Sequence, residues 1–121
     1  MIQLMSVLMP ADNSGAKKFK VIGIPGKIGK TATIGQVVTC SISGADPNGA
    51  VKDHEIVKVL IVRTRKEIGR DDGTYVRFDD NAGVVIDNQG LPKGTRILGP
   101  IAREVRDLGY TKIASLAREV V

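Results

Sequence analysis

Ile56-Val57-Lys58-Val59-Leu60-Ile61-Val62 is an almost unbroken apolar run with one lysine in it. Its length suits a strand, and β-branched Val and Ile pack well on a pleated surface. Continuous rather than alternating apolarity predicts a central strand covered on both faces. With its flanks it spans residues 55–64. Upstream, strands are expected at 18–24 and 36–43; downstream, at 74–78 and 83–87. Thr74-Tyr75-Val76-Arg77-Phe78 alternates most clearly. Asp12-Asn13-Ser14-Gly15, Asn48-Gly49 and Asp72-Gly73 supply turns between the runs, since Asn, Asp and Gly adopt the backbone angles that tight turns need. Short strands punctuated in this way argue for a small barrel.

The pattern changes near Pro100. Proline tolerates the first turn of a helix, where its missing N–H has no partner to lose. Ile101, Val105 and Leu108 then recur at helical spacing, and Gly109 stops the run. A second short helix is expected over residues 113–117. The expectation is one domain over 1–121, mainly β, with a barrel to about residue 98 and two short C-terminal helices from about 99 to 121.

A chain of 121 residues supports one hydrophobic core. Its only aromatics are Phe19, Tyr75, Phe78 and Tyr110, so aliphatic side chains must build that core. The net charge is +5 with a pI near 9.6, which points to a polyanionic partner. The charge is uneven. Residues 1–35 hold five lysines against Asp12, whereas residues 71–121 hold seven basic and eight acidic groups. The first half is therefore the expected electrostatic anchor.

Several chemistries are disfavoured. Cys40 is the single cysteine, so no intramolecular disulfide and no thiolate cluster for zinc can form. Its neighbours read as a strand, and a buried inert thiol is expected. The Gly26-Lys27-Ile28-Gly29-Lys30-Thr31 stretch resembles a phosphate loop, but G-x-x-x-x-G-K-[ST] needs glycine at 24, where Ile24 stands. His54, flanked by Asp53 and Glu55, has no nucleophile near it in sequence and reads as a surface residue. The acids Asp71, Asp72, Asp79 and Asp80 lack a calcium-loop pattern and suit turns and pairing with Arg70 and Arg77. No cofactor, metal site or catalytic residue is expected. Met1 to Pro10 lacks the features of a secretory signal, and no run is long enough for a membrane helix.

Basic residues remain as candidates for RNA contact: Lys17, Lys18, Lys20, Lys27, Lys30, Arg63, Arg65, Lys66, Arg70, Arg77, Arg103 and Arg106. Arg63 and Arg65 are expected to share a strand face and to present two guanidiniums to phosphates. The scarcity of aromatics argues against stacking on single-stranded bases and for recognition of backbone and shape.

Ala11-Asp12-Asn13-Ser14-Gly15-Ala16, Val62-Arg63-Thr64-Arg65-Lys66, Arg77-Phe78-Asp79-Asp80-Asn81-Ala82, Lys93-Gly94-Thr95-Arg96-Ile97, Gly99-Pro100-Ile101-Ala102-Arg103-Glu104 and Lys112-Ile113-Ala114-Ser115-Leu116 occur in this order. Together they resemble the fourteenth protein of the large ribosomal subunit, a universal family, in its bacterial or organellar form. The resemblance covers essentially the whole chain. It implies a five-stranded barrel with short C-terminal helices. It implies a structural role in the large subunit, binding to large-subunit rRNA, and bridges to small-subunit rRNA. Large-subunit proteins three and nineteen are the implied neighbours, and the ribosomal silencing factor is an implied partner. Thr95, Arg96, Lys112 and Ser115 match the family's subunit-interface and silencing-factor face. The implied location is the cytoplasmic ribosome, with an organellar ribosome also compatible.

The sequence departs from the family pattern at Gly29-Lys30-Thr31, where an Arg-Arg-Tyr-like stretch is usual. It departs again at Val59, where alanine is usual, and at Arg118, where proline is common. Before the resemblance is weighed, a free-standing RNA chaperone or translation factor on a small barrel is the competing reading, with a nucleotide-dependent enzyme third.

Overall fold

The computed structural model describes residues 2–24 and 31–121. Among the described residues, nine strands and two helices follow in chain order: β1 (Ile2–Gln3), β2 (Val7–Pro10), β3 (Phe19–Gly23), β4 (Thr31–Ala32), β5 (Val37–Ile42), β6 (Ile56–Arg63), β7 (Ile68–Gly69), β8 (Tyr75–Val76), β9 (Ala82–Ile86), α1 (Arg103–Asp107) and α2 (Thr111–Leu116). Five of them close a barrel in the order β2-β3-β5-β6-β9. All its pairings are antiparallel except β9 with β2, where Met9 faces Ala82 and Pro10 faces Gly83. The expected class, mainly β with a small five-stranded barrel and two short C-terminal helices, is the one observed.

The fifth barrel strand is β2, not the alternating 74–78 segment. Val7, Leu8 and Met9 are all apolar, so the sequence hides an alternation that the structure shows: Leu8 is buried, while its neighbours are exposed. Pro10 is tolerated because Met9 and Ala11 carry the N–H groups that reach β9, donating to the carbonyls of Asn81 and Gly83. Only Tyr75 and Val76 of the 74–78 segment form a strand. They pair with β7 in a separate two-stranded hairpin. The Asp72-Gly73 turn joins that hairpin, with Asp72 Oδ1 accepting from Thr74 N at 3.0 Å and Thr74 Oγ1 at 2.6 Å.

The central strand β6 is covered on both faces only in its second half. Leu60, Ile61, Val62 and Arg63 are all buried, whereas Ile56 and Lys58 point outward. The barrel interior holds Leu8, Phe19, Val21, Val38, Cys40, Ile42, Val59 and Ile61. Val59 finds room because Gly83 lies beside it on β9. A β-carbon on Gly83 would collide with Cγ1 of Val59 and would lie 3.1 Å from the Leu60 carbonyl. A glycine thus makes space for the branched side chain at position 59.

The first helix starts later than its proline suggests. Ile101 is drawn into a parallel bridge with Val120, its N–H donating to the Glu119 carbonyl and its carbonyl accepting from Val121 N. Helical geometry begins only after Ala102. Ile101 and Val105 are buried as their spacing implies, but Leu108 is 61% exposed because the helix has already ended at Asp107. Gly109, at φ +100°, supplies the left-handed residue after the helix.

Candidate nucleic-acid interface

The basic residues fall into two groups. Arg63 and Arg70 turn inward. Arg63 donates from Nη1 to the carbonyls of Leu98 (2.8 Å) and Pro100 (3.3 Å) and from Nη2 to Asp80 Oδ2 (3.3 Å). Its Nε lies 3.0 Å from Asp80 Oδ1, at an angle that falls short of a hydrogen bond. Its side chain is only 10% exposed. Gly99, at φ +79°, allows this approach, since a β-carbon there would strike the guanidinium. The expected Arg63–Arg65 pair on one face is therefore corrected. The strand ends at Arg63, after a register shift against β9, and Arg65 lies beyond it with its side chain exposed.

Arg70 forms a two-pronged pair with Glu104, Nε to Oε2 and Nη2 to Oε1, both at 3.0 Å. Its Nη2 also donates to the Val121 carbonyl at 2.6 Å. The Arg70 hydrogen bond holds the Glu104 carboxyl below its usual range, and the same bond raises the guanidinium further. Arg70 thus pins the β7–β8 hairpin to α1 and has few donors left for RNA.

Lys17, Lys18, Lys20, Arg65, Lys66, Arg77, Arg103 and Arg106 are exposed. Lys20 on β3 and Lys18 just before the strand flank buried Phe19, and both are exposed. Arg65, Lys66 and Arg77 gather at the corner where β6 leaves the barrel. There the Arg65 backbone N–H donates to Asn81 Oδ1 at 2.8 Å. Arg103 sits in a cleft of about 470 Å³ with Arg70 and four carboxylates, Asp71, Asp72, Glu104 and Asp107. That setting suits an anion less well than the lysines at and before β3. Lys27 and Lys30 lie outside the described residues.

Thr95 and Arg96 lie on a strap between β9 and α1 that has no regular structure of its own. It is held by side chains distant in sequence. Asn13 Oδ1 accepts from the backbone N–H of Thr95 (2.8 Å) and Arg96 (3.0 Å), and Asn13 Nδ2 donates to Thr95 Oγ1 at 2.8 Å. Asp12 forms a backbone bridge with Ile97. Burial raises the pKa of its carboxyl above the ordinary value, although the carboxylate accepts from Ser14 Oγ and Val85 N. Further along, the Leu98 N–H donates to the Ala11 carbonyl at 2.6 Å. An open cleft of about 480 Å³, lined by Arg96, Leu98, Leu116 and Arg118, sets the strap beside the end of α2. Lys112 and Ser115 are exposed on that helix, and Ser115 Oγ donates to the Lys112 carbonyl at 2.8 Å.

The chemistries disfavoured by sequence look as follows. Cys40 is fully buried, and burial pushes its thiol up to about 12. His54 is exposed, with a left-handed backbone, and its Nε2 lies 3.5 Å from Asp53 Oδ2. Among the described residues, no cluster of metal-ligating side chains occurs, and no helix is long and apolar enough to cross a membrane. Asn13 is the residue whose hold on the strap sequence reading missed. Its motif was legible as a turn, but a partner 82 residues away leaves no local signal.

A family model described as ribosomal protein L14p/L23e matches residues 1–121. The large ribosomal subunit protein uL14 of Aquifex aeolicus (strain VF5) is 58% identical over 121 residues, covering all of both chains. That of Aquifex pyrophilus is 57% identical with the same coverage, and that of Petrotoga mobilis (strain DSM 10674 / SJ95) is 55% identical over 99% of each chain. The chain belongs to the ribosomal protein L14p/L23e family.

Proposed function

We propose that the chain is a structural constituent of the large ribosomal subunit, holding large-subunit rRNA with one face and bridging to small-subunit rRNA with another. The observation that carries this reading is the full-length likeness to large-subunit ribosomal proteins. The geometry then suggests which residues do what. Lys17, Lys18 and Lys20 near β3, with Arg65, Lys66 and Arg77 at the β6 corner, are exposed cations on a rigid barrel. They suit the phosphate backbone of folded RNA, where neutralised phosphates release counterions. Thr95, Arg96, Lys112 and Ser115 form the second face, the one that remains open until the small subunit joins. Large-subunit proteins three and nineteen are the proposed neighbours, and a silencing factor is the proposed competitor for the second face. The proposed location is the ribosome of the cytoplasm.

A sucrose gradient tests the role. A structural constituent stays with the large subunit through a high-salt wash. Release into the top fractions would instead identify a dissociable translation factor.

A further inference from the structure

We propose that Asn13 is a positioning residue that fixes the hydrogen-bonding polarity of Thr95, turning its hydroxyl into a donor for a phosphate oxygen of the small-subunit RNA. The inference rests on the reading of the Thr95–Arg96 face as an intersubunit contact.

The orientation of the Asn13 carboxamide follows from chemistry. Its oxygen must face the N–H groups of Thr95 and Arg96, because the flipped amide would set donors against donors. With the oxygen so placed, Nδ2 donates to Thr95 Oγ1. Gly94 permits this close approach, since a β-carbon there would lie 2.7 Å from Asn13 Oδ1. A hydroxyl has one hydrogen and two lone pairs. One lone pair of Thr95 is taken by Asn13, and no acceptor among the described residues takes the hydrogen. Thr95 is exposed, so that hydrogen is available to a partner.

Beside it, the exposed Arg96 offers only donors. A threonine hydroxyl turned donor and a guanidinium together match a group that carries acceptors and negative charge and no hydrogen of its own. A phosphodiester is such a group. Ser115 has the opposite polarity. It spends its hydrogen on the Lys112 carbonyl and leaves lone pairs outward, so it serves as an internal control.

The test compares large subunits carrying Asn13→Asp, Thr95→Val, both together, Thr95→Ser or Arg96→Glu, with association to wild-type small subunits as the readout. Asn13→Asp keeps an oxygen toward the two backbone N–H groups but replaces the Nδ2 donor with an acceptor. The Thr95 hydrogen then turns inward. Asn13→Asp and Thr95→Val should each weaken joining by about two- to twelve-fold, the worth of one hydrogen bond. The double variant should be no weaker than Asn13→Asp alone, and Thr95→Ser should join like wild type.

Additive losses would show that the new charge acts by itself, and would overturn the proposal. So would normal joining by Asn13→Asp. If Asn13→Asp fails to assemble, the Thr95 pair still decides: equal joining by Thr95→Val and Thr95→Ser contradicts a donor role. Normal joining by Arg96→Glu would instead refute the intersubunit reading itself. Coupling between Asn13 and Thr95 in silencing-factor binding, without coupling in joining, would overturn the assignment to RNA.

Discussion

Arg63 carries its charge into the protein because three acceptors wait for it there: two carbonyls of the 98–100 turn and the Asp80 carboxylate. Removing it strands those acceptors. Arg63→Ala should cost about 1.5–3 kcal/mol, the range for hydrogen bonds to a charged group, read from denaturant unfolding. Arg65→Ala should stay within about 0.5 kcal/mol of wild type. It should flatten the salt dependence of RNA binding by a slope of about 0.9 or less. Equal stability losses for the two variants would contradict the division between an inward and an outward arginine. The alternation rule paired these residues because it assumes the strand continues. The register shift between Ile61 and Arg63 that ends the pairing depends on β9, some twenty residues away. Cys40, by contrast, was readable from its strand neighbours. With its thiol pushed up to about 12, it should resist a thiol reagent until the barrel unfolds. Rapid labelling of the native protein would show that the barrel opens locally.

At the scale of elements, Val59 on β6 and Gly83 on β9 share one volume inside the barrel. Gly83→Ala should cost about 1–3 kcal/mol by overpacking. In a Val59→Ala background that cost should fall by about 1 kcal/mol or more, because residues in contact do not add. An unchanged cost would mean that the Leu60 carbonyl, not Val59, sets the limit. The Arg70–Glu104 pair ties the β7–β8 hairpin to α1, and it is sensitive to acid. The Glu104 carboxyl lies below its ordinary value of 4.5 in the folded state, so its contribution is present above that value and is lost as pH falls through the folded one. Thermal midpoints on acidification below about pH 4.5 should therefore drop more for the wild type than for Glu104→Gln. Parallel curves would show that the pair adds nothing. Four of the five barrel strands were legible, because Val, Ile and turn residues bound them clearly. The strand β2 was not, since apolar side chains on both of its faces erase the period of two. The 74–78 segment misled for the converse reason. Alternation signals a half-covered strand, and a surface hairpin satisfies it as well as a barrel does.

For the whole molecule, exposed cations stand both on the barrel and beside the strap. Lysines near β3 and the cations at the β6 corner stand on the closed barrel. The strap with Thr95 and Arg96 is held against the barrel by Asn13, Asp12 and Arg63, next to the helix bearing Lys112 and Ser115. The sequence showed which residues were basic and the resemblance implied which faced the other subunit. Neither showed that the side chains of Asn13 and Arg63 fix the strap, since those contacts span 35 to 83 residues. The proposed anchoring and bridging faces are separable. The most direct measurement is to purify large subunits carrying Arg96→Glu and, separately, Lys17→Ala/Lys18→Ala/Lys20→Ala, scoring retention through a salt wash and association with wild-type small subunits. Arg96→Glu should be retained normally and join weakly, through like-charge repulsion against the proposed bridging phosphates, while the triple lysine variant should wash off at lower salt. Failure of Arg96→Glu to enter the large subunit, or its normal joining with the small one, would contradict the separation of the two faces.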